Sequence, residues 1–223
     1  MTAPTLVVFD LDGTLVDSRR DIAEAMNDAL TAWGAAALPE VVLGRMVGDG
    51  AGVLVARACA AAGLPMPADG LAQFLSRYDA RLTRWTRPYA GTVEMLAALA
   101  DRATLAVLTN KPLAATHQVL GDLGLASFFG TRVLGGDGPQ ARKPDPAGLS
   151  ALWRAHGTAP DATLMVGDSV VDFRTARAAG TRICMARYGF CYDDFPRHEL
   201  AAHDLVIDQP ADLLRLLSGL SPA

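Results

Sequence analysis

The fold is decided by the stretch Thr-Leu-Val-Val-Phe-Asp-Leu-Asp-Gly-Thr at residues 5–14. Its apolar, largely β-branched first half is typical of a short strand buried on both faces, as in a parallel sheet. Because alternate residues of an extended segment point the same way, Asp10 and Asp12 can present their carboxylates to one site. Gly13 then allows a sharp turn. An ordinary acidic turn after a strand explains the same pattern equally well.

Similar apolar runs recur downstream and alternate with amphipathic segments. The further strand candidates are residues 104–109, 131–134, 162–167, 181–186 and 204–207. Apolar residues at helical spacing lie between them, at residues 93–100, 113–123, 149–156 and 170–177. Strands that alternate with helices predict an α/β fold with a Rossmann-like, doubly wound parallel sheet.

Residues 16–84 interrupt this alternation, because they contain helical stripes and no convincing strand. The stripes lie at residues 22–33, 53–62 and 71–82. Ser18 and Asp21 have the spacing of a helix-starting capping box. We therefore expect an α/β core domain formed by residues 1–15 and 85–223, with an inserted helical domain at residues 16–84.

Composition excludes several classes of protein. The chain has 223 residues, 51% of them hydrophobic, and a net charge of -4. This charge creates no general field for nucleic acid or anionic membranes, so we expect neither as a partner. No apolar run approaches the roughly 18 residues of a membrane span. Three dispersed cysteines without a CxxC pair, and acid close to the N-terminus rather than a signal peptide, predict reduced thiols and a cytoplasmic location. The oligomeric state stays open.

Polar residues follow other predicted strands as well. Thr109 and Asn110 end one strand, and Asp168 ends another, with Asp172 one helical turn further on. Ligands of such sheets bind beyond the carboxyl ends of the strands, so we expect these residues to meet in one crevice. Asp168 has an alternative role as the N-cap of the next helix.

The charges of this crevice restrict what it can bind. Two unit charges 4 Å apart interact by about 4 kcal/mol at an effective dielectric near 20, so four gathered carboxylates repel one another and any anion. A divalent cation removes the conflict, and oxygen ligands without nearby His or Cys favour Mg²⁺. Only two of the 20 basic residues are lysine, Lys111 and Lys143. With the cation and Lys143 in place, a phosphate group fits.

Four short motifs, in order, resemble those of the haloacid dehalogenase-like superfamily, and within it those of the phosphoglycolate phosphatases. They are Asp-x-Asp-Gly-Thr-Leu at residues 10–15, Thr-Asn-Lys-Pro at 109–112, Lys-Pro-Asp-Pro at 143–146 and Gly-Asp-Ser-x-x-Asp at 167–172. The resemblance extends over nearly the whole chain, and it implies that residues 16–84 form a cap over the core.

The resemblance also implies roles for the crevice residues. Asp10 would attack phosphorus and form an aspartyl-phosphate, while Asp12 would act as general acid and then as general base. Thr109, the Asn110 amide and Lys143 would bind the phosphoryl oxygens. Lys111 is either a further site residue or only a helix-start residue.

The implied metal site consists entirely of oxygen ligands. Mg²⁺ would be held by Asp10, the backbone carbonyl of Asp12 and Asp168, with Asp172 binding directly or through water. The presence of Asp12 favours phosphate ester chemistry over cleavage of carbon–halogen or carbon–phosphorus bonds, because the relatives with those activities lack this second acid.

The implied activity is hydrolysis of small phosphate monoesters, with 2-phosphoglycolate as the substrate. Arg45, Gly48 and Asp49 are the candidate substrate-binding residues of the cap. Asp49 departs from the asparagine common in phosphoglycolate phosphatases and brings a negative charge towards the expected substrate carboxylate. The alternatives are a phosphatase for a sugar phosphate, amino-sugar phosphate or nucleotide, a phosphosugar mutase of the β-phosphoglucomutase kind, and a non-enzymatic receiver or binding module.

Overall fold

The computed structural model describes residues 3–218, which contain eight strands. They are β1 (Leu6–Phe9), β2 (Val16–Asp17), β3 (Arg87–Pro88), β4 (Thr104–Leu108), β5 (Val133–Leu134), β6 (Thr163–Gly167), β7 (Arg182–Ala186) and β8 (Leu205–Ile207). Six of them form one sheet in the order β5-β4-β1-β6-β7-β8. All neighbouring pairs in this sheet are parallel. The predicted Rossmann-like α/β fold is therefore confirmed.

Ten α-helices connect or flank the strands in the described part of the chain. They are α1 (Arg19–Ala32), α2 (Glu40–Gly44), α3 (Ala51–Ala61), α4 (Gly70–Asp79), α5 (Thr92–Ala100), α6 (Leu113–Asp122), α7 (Ala126–Phe129), α8 (Ala147–Ala155), α9 (Val170–Ala179) and α10 (Ala211–Ser218). Short 3-10 turns occur at Pro160–Ala162, Tyr192–Asp194 and Arg197–Glu199.

The sheet is buried on both faces, as the sequence of β1 requires. Val7 and Phe9 pack into a cluster that includes α5 and α10, whereas Leu6 and Val8 pack into a second cluster with α8 and α9. This alternation is the period of two that a strand imposes on its side chains. It explains why β1 contains no polar residue before the chain reaches the carboxyl edge of the sheet.

The helices α1–α4 lie between β2 and β3, which pair antiparallel at the base of this segment. Met26, Leu30, Val55 and Phe74 are among its buried residues. The sequence predicted no strand within residues 16–84, and this prediction was wrong for β2. A strand of two residues is too short for its side chains to show a periodic pattern.

The start of α1 differs from the predicted capping box. Ser18 precedes the helix, but its hydroxyl donates to Oδ1 of Asp12 at 2.6 Å and makes no cap hydrogen bond. Asp21 accepts hydrogen bonds from the backbone amides of Trp85 and Thr86 and from the Thr86 hydroxyl, at 2.7–2.9 Å. Contacts distant in sequence have replaced the local cap, and Asp21 joins α1 to the returning chain.

Among residues 3–218, none of the helices combines the length and the apolarity that crossing a membrane requires. The cysteines are free thiols, as the sequence predicted. Cys59 and Cys184 are buried, and Cys191 is partly buried.

Candidate active site

Strand β1 places Asp10 at the carboxyl edge of the sheet. The Asp10 amide donates to the carbonyl of Val166 on the neighbouring β6, at 2.9 Å. Nζ of Lys143 lies 2.9 Å from Oδ1 of Asp10 and 2.6 Å from Oδ1 of Asp172. All three charged side chains are buried. The structure thus brings together residues separated by more than half of the chain.

Asp10, Asp168 and Asp172 form a cluster of buried carboxylates. Each has an oxygen within 4.8 Å of an oxygen of the other two. Asp168 accepts hydrogen bonds from the Thr14 hydroxyl at 3.4 Å and from the Cys191 amide at 3.0 Å. This arrangement leaves the carboxylates facing a common point at the end of β1 and β6.

The alternative role of Asp168 as a helix cap does not occur. Ser169 caps α9 instead and forms a capping box with Asp172. In that box, Oδ2 of Asp172 accepts from the Ser169 amide and hydroxyl, while Oδ1 remains with Lys143. Asp172 therefore links the start of α9 to the lysine, and the carboxylate of Asp168 stays available to the cluster.

Two glycines allow the backbone to approach Asp168 closely. A Cβ atom on Gly189 would lie 2.1 Å from Cβ of Asp168, and one on Gly13 would lie 2.5 Å from its Oδ2. Gly13 also has a φ of +85°, in the left-handed region that favours glycine. The position of Asp168 is therefore set by backbone on two sides.

The electrostatics of the cluster are unfavourable without a further cation. Burial, together with the negative charge of Asp172, raises the pKa of Asp10 to about 7, although Lys143 opposes the shift. Burial, together with the negative charges of Asp172 and Asp10, raises the pKa of Asp168 well above its usual value. Burial alone would lower the pKa of Lys143, but its carboxylate partners outweigh burial and raise it.

One ammonium group faces three carboxylates in this buried space. The excess of negative charge and the oxygen-only donor set fit a hard divalent cation. The cluster is therefore a candidate site for such an ion.

Asp12 lies beside this cluster and has different partners. Its carboxylate accepts from Ser18 and lies 3.1–3.2 Å from Nζ of Lys111. Its Oδ atoms are not part of the three-carboxylate group. The two acids of the first motif therefore occupy separate environments, Asp10 with Lys143 and Asp12 with Lys111.

Lys111 is a buried residue of the site, and the sequence alone left this open. Its ammonium group is hydrogen-bonded to the hydroxyl of Tyr78 and lies 4.4 Å from the centre of the Tyr78 ring. Burial would lower the pKa of Lys111, but Asp12 and Tyr78 raise it. Burial also raises the pKa of Tyr78. Tyr78 was not predicted as a site residue, because it occupies one of the apolar positions of α4, where an aromatic side chain is expected in the core. Its hydroxyl is the only feature that indicates another role.

Thr109 and Asn110 follow β4 and border the same cavity. Nδ2 of Asn110 donates to the carbonyls of Gly48 and Lys143, both at 2.8 Å. The Thr109 hydroxyl accepts from the Lys111 amide at 3.2 Å. Asn110 thus connects the loop before α3 to the segment that contains Lys143.

A cavity of about 50 Å³ lies above these groups. Its polar residues are Asp10, Asp12, Tyr78, Thr109, Asn110 and Lys111. Its apolar and glycine residues are Ile22, Val47, Gly48, Gly50, Ala51, Leu54, Phe74, Leu75 and Pro112. Most of the apolar wall comes from α1, α3 and α4, so the helical segment covers the polar floor.

Arg45 and Asp49 lie in a neighbouring groove instead of lining this cavity. The carboxylate of Asp49 forms an ion pair with Arg57 at 2.6 Å. Nε of Arg45 lies 3.8 Å from Oδ2 of Asp194. Neither side chain borders the carboxylate cluster in this position, and Gly48 is the one cap candidate among the three that borders the cavity.

Comparison with known proteins agrees with this geometry. A family model described as haloacid dehalogenase-like hydrolase matches residues 4–180. A phosphoglycolate phosphatase of Rhodospirillum rubrum is 44% identical over 196 residues, covering 84% of this chain and 81% of the relative. A phosphoglycolate phosphatase of Cereibacter sphaeroides is 39% identical over 219 residues, covering 95% and 98%.

The likeness extends to solved structures. The crystal structure of a predicted phosphoglycolate phosphatase from Haemophilus somnus superposes with a TM-score of 0.88 at 34% identity, covering 97% of this chain and 99% of the other. Motifs, fold and relatives therefore agree, and this chain belongs to the haloacid dehalogenase-like hydrolase family.

Proposed function

We propose that this protein is a Mg²⁺-dependent phosphatase that hydrolyses 2-phosphoglycolate to glycolate and phosphate. The observation that carries the proposal is the buried group of Asp10, Asp168, Asp172 and Lys143, whose Asp10 borders a cavity beneath the helical segment. Phosphoryl transfer needs a positioned nucleophile and positive charge at the phosphate, and this group supplies the nucleophile, a lysine and a set of oxygen ligands.

We propose Mg²⁺ as the ion, because hard divalent cations take oxygen ligands and the donor set consists of oxygens. The proposed ligands are carboxylate oxygens of Asp10 and Asp168, the backbone carbonyl of Asp12, and Asp172 directly or through water. When bound, the ion supplies positive charge that offsets the phosphate and the carboxylates.

In the first half of the proposed reaction, an Asp10 oxygen attacks phosphorus and an aspartyl-phosphate forms. The bond between phosphorus and the ester oxygen breaks, and Asp12 gives its proton to that oxygen as it leaves. Lys143 orients Asp10 through the 2.9 Å contact and binds a phosphoryl oxygen. Thr109 and the Asn110 amide bind the others.

In the second half, water attacks phosphorus and the bond to Asp10 breaks. Asp12, now a carboxylate, takes the proton of this water, so phosphate leaves and both acids return to their starting states. Ser18 and Lys111 hold the Asp12 carboxylate in place, at 2.6 and 3.1 Å. The different partners of Asp10 and Asp12 support this division of roles.

We also propose that residues 16–84 act as a cap over a core of residues 1–15 and 85–223. Its apolar side chains, including Ile22, Leu54 and Phe74, border the cavity and would exclude water from the phosphoryl group. The hydrogen bond from Asn110 to the Gly48 carbonyl supports a seat for the cap directly above the site.

The choice of substrate is supported by the relatives named phosphoglycolate phosphatase, which cover most of this chain. The three free thiols support a location in the reducing cytoplasm.

A screen of phosphate release tests the proposal. Purified protein is given 2-phosphoglycolate, sugar phosphates, amino-sugar phosphates and nucleotides, each with Mg²⁺ and with a chelator. We expect the highest kcat/KM for 2-phosphoglycolate, and no phosphate release from any substrate when the chelator removes the metal. A preferred nucleotide or sugar phosphate would refute the substrate, and isomerised sugar phosphate without free phosphate would favour a mutase.

A further inference from the structure

We propose that Lys111 and Tyr78 form the subsite that recognises the carboxylate of the substrate. This inference rests on the proposed function and deepens it, because it assigns the group that distinguishes 2-phosphoglycolate from other small phosphate esters. It concerns residues that belong to the Asp12 environment and make no ion pair with Asp10.

The charges of the cavity leave one place for a second anionic group. Among the described residues that line it, Lys111 is the only cation, and the other ionisable groups are the carboxyl groups of Asp10 and Asp12 and the hydroxyl of Tyr78. A carboxylate taken out of water needs an opposite charge and hydrogen bonds to compensate for lost hydration. Arg45, the sequence candidate for this task, lies in the neighbouring groove.

Lys111 also lies at the right distance from the reacting bond. Its Nζ atom is 3.1 Å from Oδ2 of Asp12, the acid proposed to protonate the leaving oxygen. In 2-phosphoglycolate, a single CH₂ group separates this oxygen from the carboxylate. A substrate whose ester oxygen contacts Asp12 can therefore place its carboxylate beside Nζ.

The donors of this subsite are available to a ligand. A lysine ammonium group has three N–H donors, and Lys111 contacts both oxygens of Asp12 and the Tyr78 oxygen. A substrate carboxylate would take the place of one of the two Asp12 contacts. The Tyr78 oxygen accepts from Lys111, so its own O–H can donate elsewhere. Together the two residues offer two donors to the two oxygens of a carboxylate.

The surroundings strengthen these hydrogen bonds. Tyr78 stacks on Phe74, with ring centres 5.7 Å apart, and Leu75 and Leu54 also border the cavity. Hydrogen bonds to charged groups are stronger in such an apolar environment than in water. Because Tyr78 belongs to α4 and Lys111 follows β4, the subsite requires the helical segment to be seated on the core.

The test compares 2-phosphoglycolate with ethyl phosphate, in which a methyl group replaces the carboxylate. kcat and KM are measured for the wild type, Lys111→Met and Tyr78→Phe. Tyr192→Phe is the matched control, since it removes the hydroxyl of a buried tyrosine that does not line the cavity. The quantity of interest is the preference, defined as the ratio of the two kcat/KM values.

We expect the wild type to prefer 2-phosphoglycolate. Lys111→Met lowers the preference by roughly 30-fold or more, the effect of removing one partner of a buried charge pair. Tyr78→Phe lowers it by roughly 5- to 10-fold, the effect of one hydrogen bond. Tyr192→Phe leaves it unchanged. Should Lys111→Met fail to fold, as judged by circular dichroism, Tyr78→Phe tests the same subsite.

Two results separate failure of the subsite from failure of the proposed function. If the wild type prefers 2-phosphoglycolate and both variants keep that preference, the subsite assignment is overturned and Lys111 serves only Asp12. If the wild type hydrolyses other phosphate esters but not 2-phosphoglycolate, the proposed substrate itself is wrong.

Discussion

Two glycines, which have no side chain, determine the position of Asp168 in this site. Gly13 and Gly189 pass so close to its carboxyl group that a methyl group on either would overlap it. Nothing in the sequence around residue 189 indicates this contact, because it joins two loops that only the folded sheet brings together. The acid itself was predictable, since it follows a buried apolar run.

Gly189→Ala tests this steric role. The added Cβ would displace Asp168, and a displacement of about 1 Å at a reacting group can lower activity roughly 100-fold. We expect a loss of that order in phosphate release, with a folded protein by circular dichroism.

Gly121→Ala is the control for Gly189→Ala. Gly121 lies in α6, and no atom lies within 4 Å of the added Cβ. We expect unchanged activity and a free energy of unfolding higher by roughly 0.5–1 kcal/mol, because alanine favours the helix. Wild-type activity in Gly189→Ala would show that the close contact does not position Asp168.

Contacts between residues of distant segments could not be predicted from the sequence. Ser18 resembles a helix cap but donates to Asp12, and Tyr78 resembles a core residue but bonds Lys111. In both cases a hydroxyl finds a partner whose position depends on tertiary packing. Local patterns contain no information about such a partner.

At the level of elements, length decided what the sequence could predict. The longer helices and the core strands appear as clear periods of hydrophobic residues. In contrast, β2 and β3 have two residues each, α7 has four and α2 has five. Elements of this size cover little more than one period, so the pattern barely repeats. The equally short β5 was indicated only as part of the longer candidate at residues 131–134.

The link between α1 and the returning chain gives a prediction at this scale. The Asp21 carboxylate is fully buried and accepts three hydrogen bonds from Trp85 and Thr86. Asp21→Ala leaves buried amides without partners, so we expect the free energy of unfolding to fall by about 1–3 kcal/mol in urea denaturation.

Asp28→Ala is the matched control on the same helix. The Asp28 side chain is 53% exposed and pairs with Arg81, so its removal should cost less than about 1 kcal/mol. Equal losses in the two variants would mean that the Asp21 contacts add no special stability to the connection between α1 and the returning chain.

At the level of the whole molecule, the convergence of the carboxylates was predictable from topology. Parallel strands end at the same edge, so Asp10 and Asp168 must be near each other if β1 and β6 are neighbours. The seating of the helical segment was not predictable, because it depends on pairs such as Asn110 with Gly48. The sequence predicts Arg45 and Asp49 as substrate-binding residues, and in this structure both side chains line the adjoining groove, where Asp49 pairs with Arg57.

The most direct test of the account is phosphate release from 2-phosphoglycolate by the wild type and by Asp10→Asn, with Mg²⁺ and with a chelator. The amide keeps the size of the side chain but removes the nucleophile. We predict rapid release by the wild type with Mg²⁺, and release at the level without enzyme for Asp10→Asn and for the chelated wild type. Sustained turnover by Asp10→Asn, or by the wild type without a divalent ion, would contradict the central role of Asp10 and the carboxylate cluster.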